Sequence, residues 1–125
     1  MAKSAFPCLT VDFSQNRVRV YKHTLHLLSD PQYIRFLINP EERYLGVQIA
    51  SNDDPSAHRV GNRINKRNCV EIHSMSLLDQ LHECTGWEKE CSYTMHALAN
   101  VDNSMIVFKW DDAMKNEKAQ ETNSL

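Results

Sequence analysis

The chain has 125 residues, 42% of them hydrophobic, and a formal charge of −2. That length suits one compact domain, since a single core is commonly built from roughly 100 to 150 residues. No stretch reaches the roughly 18 to 20 consecutive apolar residues that cross a bilayer, and the opening "MAKSAFPCLTVDF" has no apolar run of signal-peptide length, so a soluble, cytoplasmic protein with no membrane association is expected.

In chain order, "RVRVY" (Arg17 to Tyr21) alternates like a strand, and "HTLHLL" after it is short and helical in composition. Tyr33 to Ile49 then reads as a β-hairpin. Ile34, Phe36 and Ile38 alternate toward one face, as do Leu45, Val47 and Ile49, and Asn39-Pro40-Glu41-Glu42 has the composition of a type I turn. The next stretch, "ASNDDPSAHRVGNRINKRN", is rich in turn formers and reads as an irregular connection.

A second cycle starts at "CVEIH" (Cys69 to His73), again strand-like. In "SMSLLDQLHECTGW", Leu77, Leu78, Leu81 and Cys84 recur at the spacing of a helix with one buried stripe. Ser76 with Asp79 fits a capping box, and Gly86 sits where such a helix would stop. "SYTMHALANVDNSMIVFKW", Ser92 to Trp110, reads as another hairpin with its turn at Asn100 to Ser104. From about Lys115 the chain is almost wholly polar, so 115–125 is expected to be a disordered tail after a single domain over 1–114.

The two cycles share the order strand, short helix, hairpin, over about 17–50 and 69–110. Aligning "VRVYKHTLHLL" with "VEIHSMSLLDQ" sets Val18 on Val70, Val20 on Ile72 and Leu25 on Leu77. The expectation is an α+β domain of two βαββ repeats about a pseudo-two-fold axis, forming a small barrel or sheet. Leu25, Phe36, Ile38, Val47, Ile49, Leu77, Leu81, Ile106 and Phe108 are the expected core.

This layout, over roughly residues 17 to 110, resembles the swapped-hairpin AbrB-like regulators. Its tandem copy resembles the MraZ type, in which one chain supplies both halves of the barrel. The family's proline at the strand-to-helix junction is absent here, where Tyr21 follows Val20 and His73 follows Ile72. The chain also looks like small bacterial proteins associated with mobile elements. The resemblance implies transcription regulation by binding double-stranded DNA, without a cofactor, through basic residues near the strand-to-helix junctions. In the first cycle these are Arg17, Arg19, Lys22 and His23. The equivalent second-cycle positions, Glu71, His73 and Ser74, are not basic.

Charge distribution points the same way. Residues 1–70 carry ten Lys/Arg against six Asp/Glu, and residues 71–125 carry four against ten, giving +4 and −6. Such a split can build a local basic face on a slightly acidic molecule. Arg63, Lys66 and Arg67, just before the second strand, would add to it, and clustered Lys/Arg matter because phosphate contact dominates DNA affinity. The solvent-facing side of a half-buried strand and a solvated loop would give the same residues.

A non-enzymatic interaction module is the alternative. Hairpin domains leave strand edges that a partner or a second copy in a homodimer can cover. Trp87, Trp110 and the acidic Glu71, Asp79, Glu83, Glu88 and Glu90 would supply surface for it, unless the tryptophans are core. An enzyme is not expected: the three glycines lie far apart, no phosphate loop, G-x-S-x-G or H-E-x-x-H motif occurs, and no Cys–His spacing singles out a pair. Cys8, Cys69, Cys84 and Cys91 include no C-x-x-C, and His23-x-x-His26 and His82-Glu83-Cys84 lack the other half of a zinc site, so thiols and no metal are expected.

Overall fold

The computed structural model describes residues 8–101 and 104–116, with side chains at 8–98 and 104–116. These form β1 (Cys8–Asp12), β2 (Arg17–Tyr21), α1 (Lys22–Leu27), β3 (Tyr33–Asn39), β4 (Tyr44–Ala50), β5 (His58–Arg59), β6 (Cys69–Ile72), α2 (Met75–Thr85), β7 (Ser92–Val101), β8 (Met105–Lys109) and β9 (Met114–Asn116), with a 3-10 turn over Trp110–Asp112. The domain is α+β and sheet-rich. Its strands pair antiparallel in the order β5-β3-β4-β8-β7-β1-β2-β6, with β9 also on β7, and the sheet curls into a nearly closed barrel. No described helix is long and apolar enough to cross a membrane.

Period-two patterning turns one side of each strand inward. Val18 and Val20 of β2, Leu45 and Val47 of β4, and Ile106 and Phe108 of β8 join one buried cluster. Leu77, Leu78 and Leu81 of α2 and Leu25 of α1 enter the same cluster. Phe36 and Ile38 pack against it only partly buried. Ile49, expected inside, is 38% exposed. It faces the same way as its partner Ile34, but the paired part of β4 against β8 ends at Gln48, so no cross-strand residue of β8 covers it.

Local chemistry sets the boundaries. The Asn39 side chain accepts a hydrogen bond from the Glu42 backbone N–H at 3.1 Å, and the turn closes through Arg43 at φ +65°, with its N–H 2.7 Å from the Asn39 carbonyl. The helix α2 is capped by Ser74, whose hydroxyl accepts from the Leu77 N–H at 3.3 Å; the expected Ser76–Asp79 box lies inside the helix instead. Gly86 ends that helix in the left-handed region at φ +74°, as its position in the sequence suggests.

Three elements depart from the sequence reading. β1 lies in the stretch read only for signal-peptide character, and it inserts between β2 and β7. The connection after β4 contains β5, which pairs with Tyr33 and Ile34, and the fully enclosed Val60. Lys115 and Asn116 are not tail but part of β9, against Tyr93 and Ser92. The rest of the expected tail, from residue 117, and residues 102–103 of the expected β7–β8 turn lie outside the described residues. Trp110 is buried, at the start of the 3-10 turn rather than at the end of a strand. Trp87 stacks on Tyr93 with ring centroids 4.3 Å apart. No disulfide joins the cysteines.

Candidate nucleic-acid interface

Because Val18 and Val20 point inward, Arg17, Arg19 and Tyr21 point outward from β2. The register extends that outward side into a polar plane. Arg19 lies opposite Thr10 on one side and Glu71 on the other, Arg17 lies opposite Asp12, and Thr10 and Asp12 lie opposite Thr94 and Ser92. The helix α2 packs its three leucines, and α1 its Leu25, into the core, while Lys22, His23 and His26 of α1 border this side beside Tyr21 and Thr94.

Hydrogen bonds knit the plane. Thr10 Oγ1 is 2.8 Å from Thr94 Oγ1 and 3.2 Å from the Tyr21 hydroxyl. Asn116 donates to Ser92 at 3.2 Å and to Thr94 at 3.0 Å. The Asp12 carboxylate accepts from Ser14 Oγ at 2.6 Å, from the Gln15 N–H at 3.2 Å and from Arg17 Nε at 3.2 Å. Arg17 Nη1 reaches Glu71 at 3.2 Å, and Asn65 donates to the same carboxylate oxygen at 3.4 Å.

Arg19 is held differently. Its Nε is 3.8 Å from Glu71, too far for a hydrogen bond, and this buried nitrogen has no acceptor among the described residues. Burial opposes its charge, but hydrogen bonding and charge at Tyr21, with Cys69 and Glu71, outweigh that and raise its pKa. Arg19 therefore keeps its charge with a donor unused.

Two hollows lie along the plane. One, of about 410 Å³, is lined by Arg17, Arg19 and Arg67 together with Asp12, Ser92 and Asn116. The other, of about 650 Å³, is lined by Lys22, His23, His26, Tyr21, Asn68 and Thr94, with Cys8, whose thiol pKa is raised by burial. The loop before β6 joins them. Its Asn65 side chain accepts from the Arg67 N–H at 2.8 Å and from the Cys69 N–H at 3.3 Å, and the Asn68 carbonyl accepts from the Lys22 N–H at 2.8 Å. This anchors the Lys66–Arg67 turn beside the start of α1.

Of the residues named from sequence, Arg17, Arg19 and Arg67 thus meet in one groove, and Lys22 and His23 border the next. Arg63 and Lys66 are exposed on the connecting loop and line neither hollow. Arg17 and Arg19 are not free cations: their side chains are 19% and 18% exposed and Glu71 sits between them. Lys22, Arg63, Lys66 and Arg67 make no ion pair among the described residues.

Asp12, Thr10 and Thr94 were the polar members missed in the sequence. The signal was present, because Thr10 and Asp12 alternate with Leu9 and Val11 in "LTVD".

No family model, curated protein or solved structure matches the chain.

Proposed function

We propose that this chain is a DNA-binding regulatory protein, working without a cofactor and without catalysis, that holds the duplex backbone with Lys22, Arg63, Lys66 and Arg67 at the margin of the polar plane. The observation that carries the reading is the meeting of Arg67, exposed and without an ion pair among the described residues, with Arg17 and Arg19 in one groove. A phosphate oxygen is the acceptor that the exposed Arg67 guanidinium suits. His23 lies beside Lys22 on the neighbouring hollow, where its ring N–H can donate to the same backbone.

The scaffold in this reading is a duplicated, AbrB-like barrel. Supporting it, the order strand, helix, strand, strand occurs as β2-α1-β3-β4 and again as β6-α2-β7-β8. Corresponding strands also pair with each other. β2 lies on β6 with Val18 opposite Ile72 and Val20 opposite Val70, and β4 lies on β8 with Leu45 opposite Phe108 and Val47 opposite Ile106. Both registers are the kind that a two-fold axis exchanges. β1 on β7 and β5 on β3 occupy corresponding places, so the repeat in this reading begins one strand earlier than the βαββ unit. With one basic margin per chain, a homodimer would be needed to contact two half-sites.

The test is binding to random-sequence duplex DNA over a salt series. Affinity should fall steeply with salt, and Arg67→Gln or Lys66→Gln should each flatten the log–log slope by about one unit. Absence of binding at low salt overturns the reading.

A further inference from the structure

The barrel has an open seam at β3. That strand pairs with β4 along its whole length, but β5 covers only Tyr33 and Ile34 on its other side. The Gln32 carbonyl accepts from the Val60 and Gly61 N–H groups on the β5 side, and the Asn39 carbonyl accepts from the Arg43 N–H on the β4 side. Backbone groups alternate along a strand, so Phe36 and Ile38 direct their N–H and C=O groups to the β5 side, past the point where β5 stops. No described backbone or side-chain group bonds to them. Edges left like this are templates for another strand unless they are charged, bulged or covered. Here the residues are Phe36, Leu37 and Ile38, and Leu37 is 37% exposed.

Beside this edge runs a groove of about 350 Å³, lined by Phe36, Ala57, His58, Ser74, Leu77 and Gln80 among others. Its floor is apolar, through Phe36 and Leu77. Its walls, from the loop before β5 and the start of α2, mix Pro55 and Ala57 with the polar Ser56, Ser74, Ser76 and Gln80. His58 meets the Phe36 ring edge-on at 5.6 Å, and burial lowers its pKa. The outward side at the β5 end is cationic: Arg59 is exposed and makes no ion pair among the described residues, and Arg35 is shared with Asp54 at 3.1 Å.

We propose that this seam takes up an extended segment of a partner polypeptide, which adds as a strand beside Phe36–Ile38. The chemistry of the seam defines the segment. Its backbone bonds the four open groups of Phe36 and Ile38, apolar side chains at alternate positions enter the groove over Phe36 and Leu77, and an acidic residue on the outward side meets Arg59 and Arg35. The site lies on different strands from the polar plane and does not depend on the DNA reading.

The probe is a short synthetic peptide, acetyl-Glu-Val-Thr-Val-Thr-Val-amide, and the readout is residue-resolved amide hydrogen exchange of the intact chain. Without peptide, the Phe36 and Ile38 amides should exchange quickly while Arg35 and Leu37, bonded to β4, are protected. With peptide, protection of Phe36 and Ile38 should rise at least tenfold. A peptide N-methylated at alternate residues should give none of that rise, and a lysine in place of the glutamate should weaken binding. Ile38→Pro removes one outward N–H without touching the β4 ladder and should abolish the effect. Should that variant not fold, the N-methylated peptide alone decides. Unchanged exchange at millimolar peptide, equal binding of the N-methylated form, or protection that rises with protein concentration alone, which would mark a second copy as the occupant, overturns the proposal.

Discussion

Glu71→Gln separates a functional from a structural role for the arginines of the polar plane. Glu71 accepts from Arg17 at 3.2 Å and lies 3.8 Å from Arg19 Nε. Losing one partner of a buried ion pair costs about 3–5 kcal/mol, and an exposed pair contributes about 1 kcal/mol or less. The Glu71 side chain is 26% exposed and the two arginines a little less, between those limits. Glutamine keeps the shape and one acceptor, so the expected destabilisation is about 1–3 kcal/mol, read as a lower urea midpoint with unchanged m-value.

The same change should strengthen DNA binding. With the carboxylate gone, Arg17 loses one of its two counter-charges and Arg19 its nearest one, and phosphate becomes their better acceptor. The salt dependence should steepen by about one to two units, with higher affinity at low salt. Glu83→Gln on the exposed side of α2 alters net charge equally and should leave slope and affinity near wild type. Fluorescence anisotropy with a labelled random duplex measures both. If Glu71→Gln loses stability as expected while affinity at low salt stays the same or falls, Arg17 and Arg19 serve only the sheet and their place in the interface is wrong.

Phe108→Ala removes a fully enclosed ring opposite Leu45 and should cost about 3–5 kcal/mol by urea unfolding, a large share of the roughly 5–15 kcal/mol typical of a domain. Gly86→Ala meets no atom within 4 Å, so its cost should be only that of the positive φ, about 1 kcal/mol. His58 has its pKa lowered in the folded state by burial, so the unfolded chain binds the proton more readily. Stability should fall as pH drops through the unfolded value of about 6.5 and level off below the folded value. His58→Gln should flatten that part of a Tm-against-pH profile between pH 8 and 5.

The hairpins and α2 were legible because each carries a repeated physical signal. Ile34, Phe36 and Ile38 alternate on one side of a turn that Asn39 closes, and the leucines of α2 recur at helical spacing before a glycine in the left-handed region. β1 was harder to see because only Leu9 and Val11 carry its pattern, and Thr10 and Asp12 between them look like surface residues. Pairing on both sides, to β2 and β7, makes it a central strand. β5 is two residues long and owes its existence to the neighbouring β3, a tertiary cause that no local pattern records. The capping serine was misplaced by two residues because Ser74 and Ser76 both precede the leucine stripe, and only the Leu77 N–H distance distinguishes them.

The charge split between the halves shows why a basic face read from sequence changes on folding. A barrel that pairs β2 with β6 sets Arg19 directly opposite Glu71, and the return of the chain after β8 brings Asp111 to 2.7 Å from Arg43. Cations of the first half and carboxylates of the second are partners across the interface between halves, so part of the sequence asymmetry is complementarity rather than an exposed field. What survives this cancellation, besides Arg59 on β5, is the set that the β2–β6 pairing cannot reach. Lys22 opens α1 just past the last β2–β6 pair, and Arg63, Lys66 and Arg67 lie on the loop before β6 begins. The functional weight of the reading therefore shifts from the strand arginines to the junction and loop. Substituting Lys66 and Arg67 together should remove more DNA affinity than substituting Arg17 and Arg19 together, while the second pair should cost the greater stability.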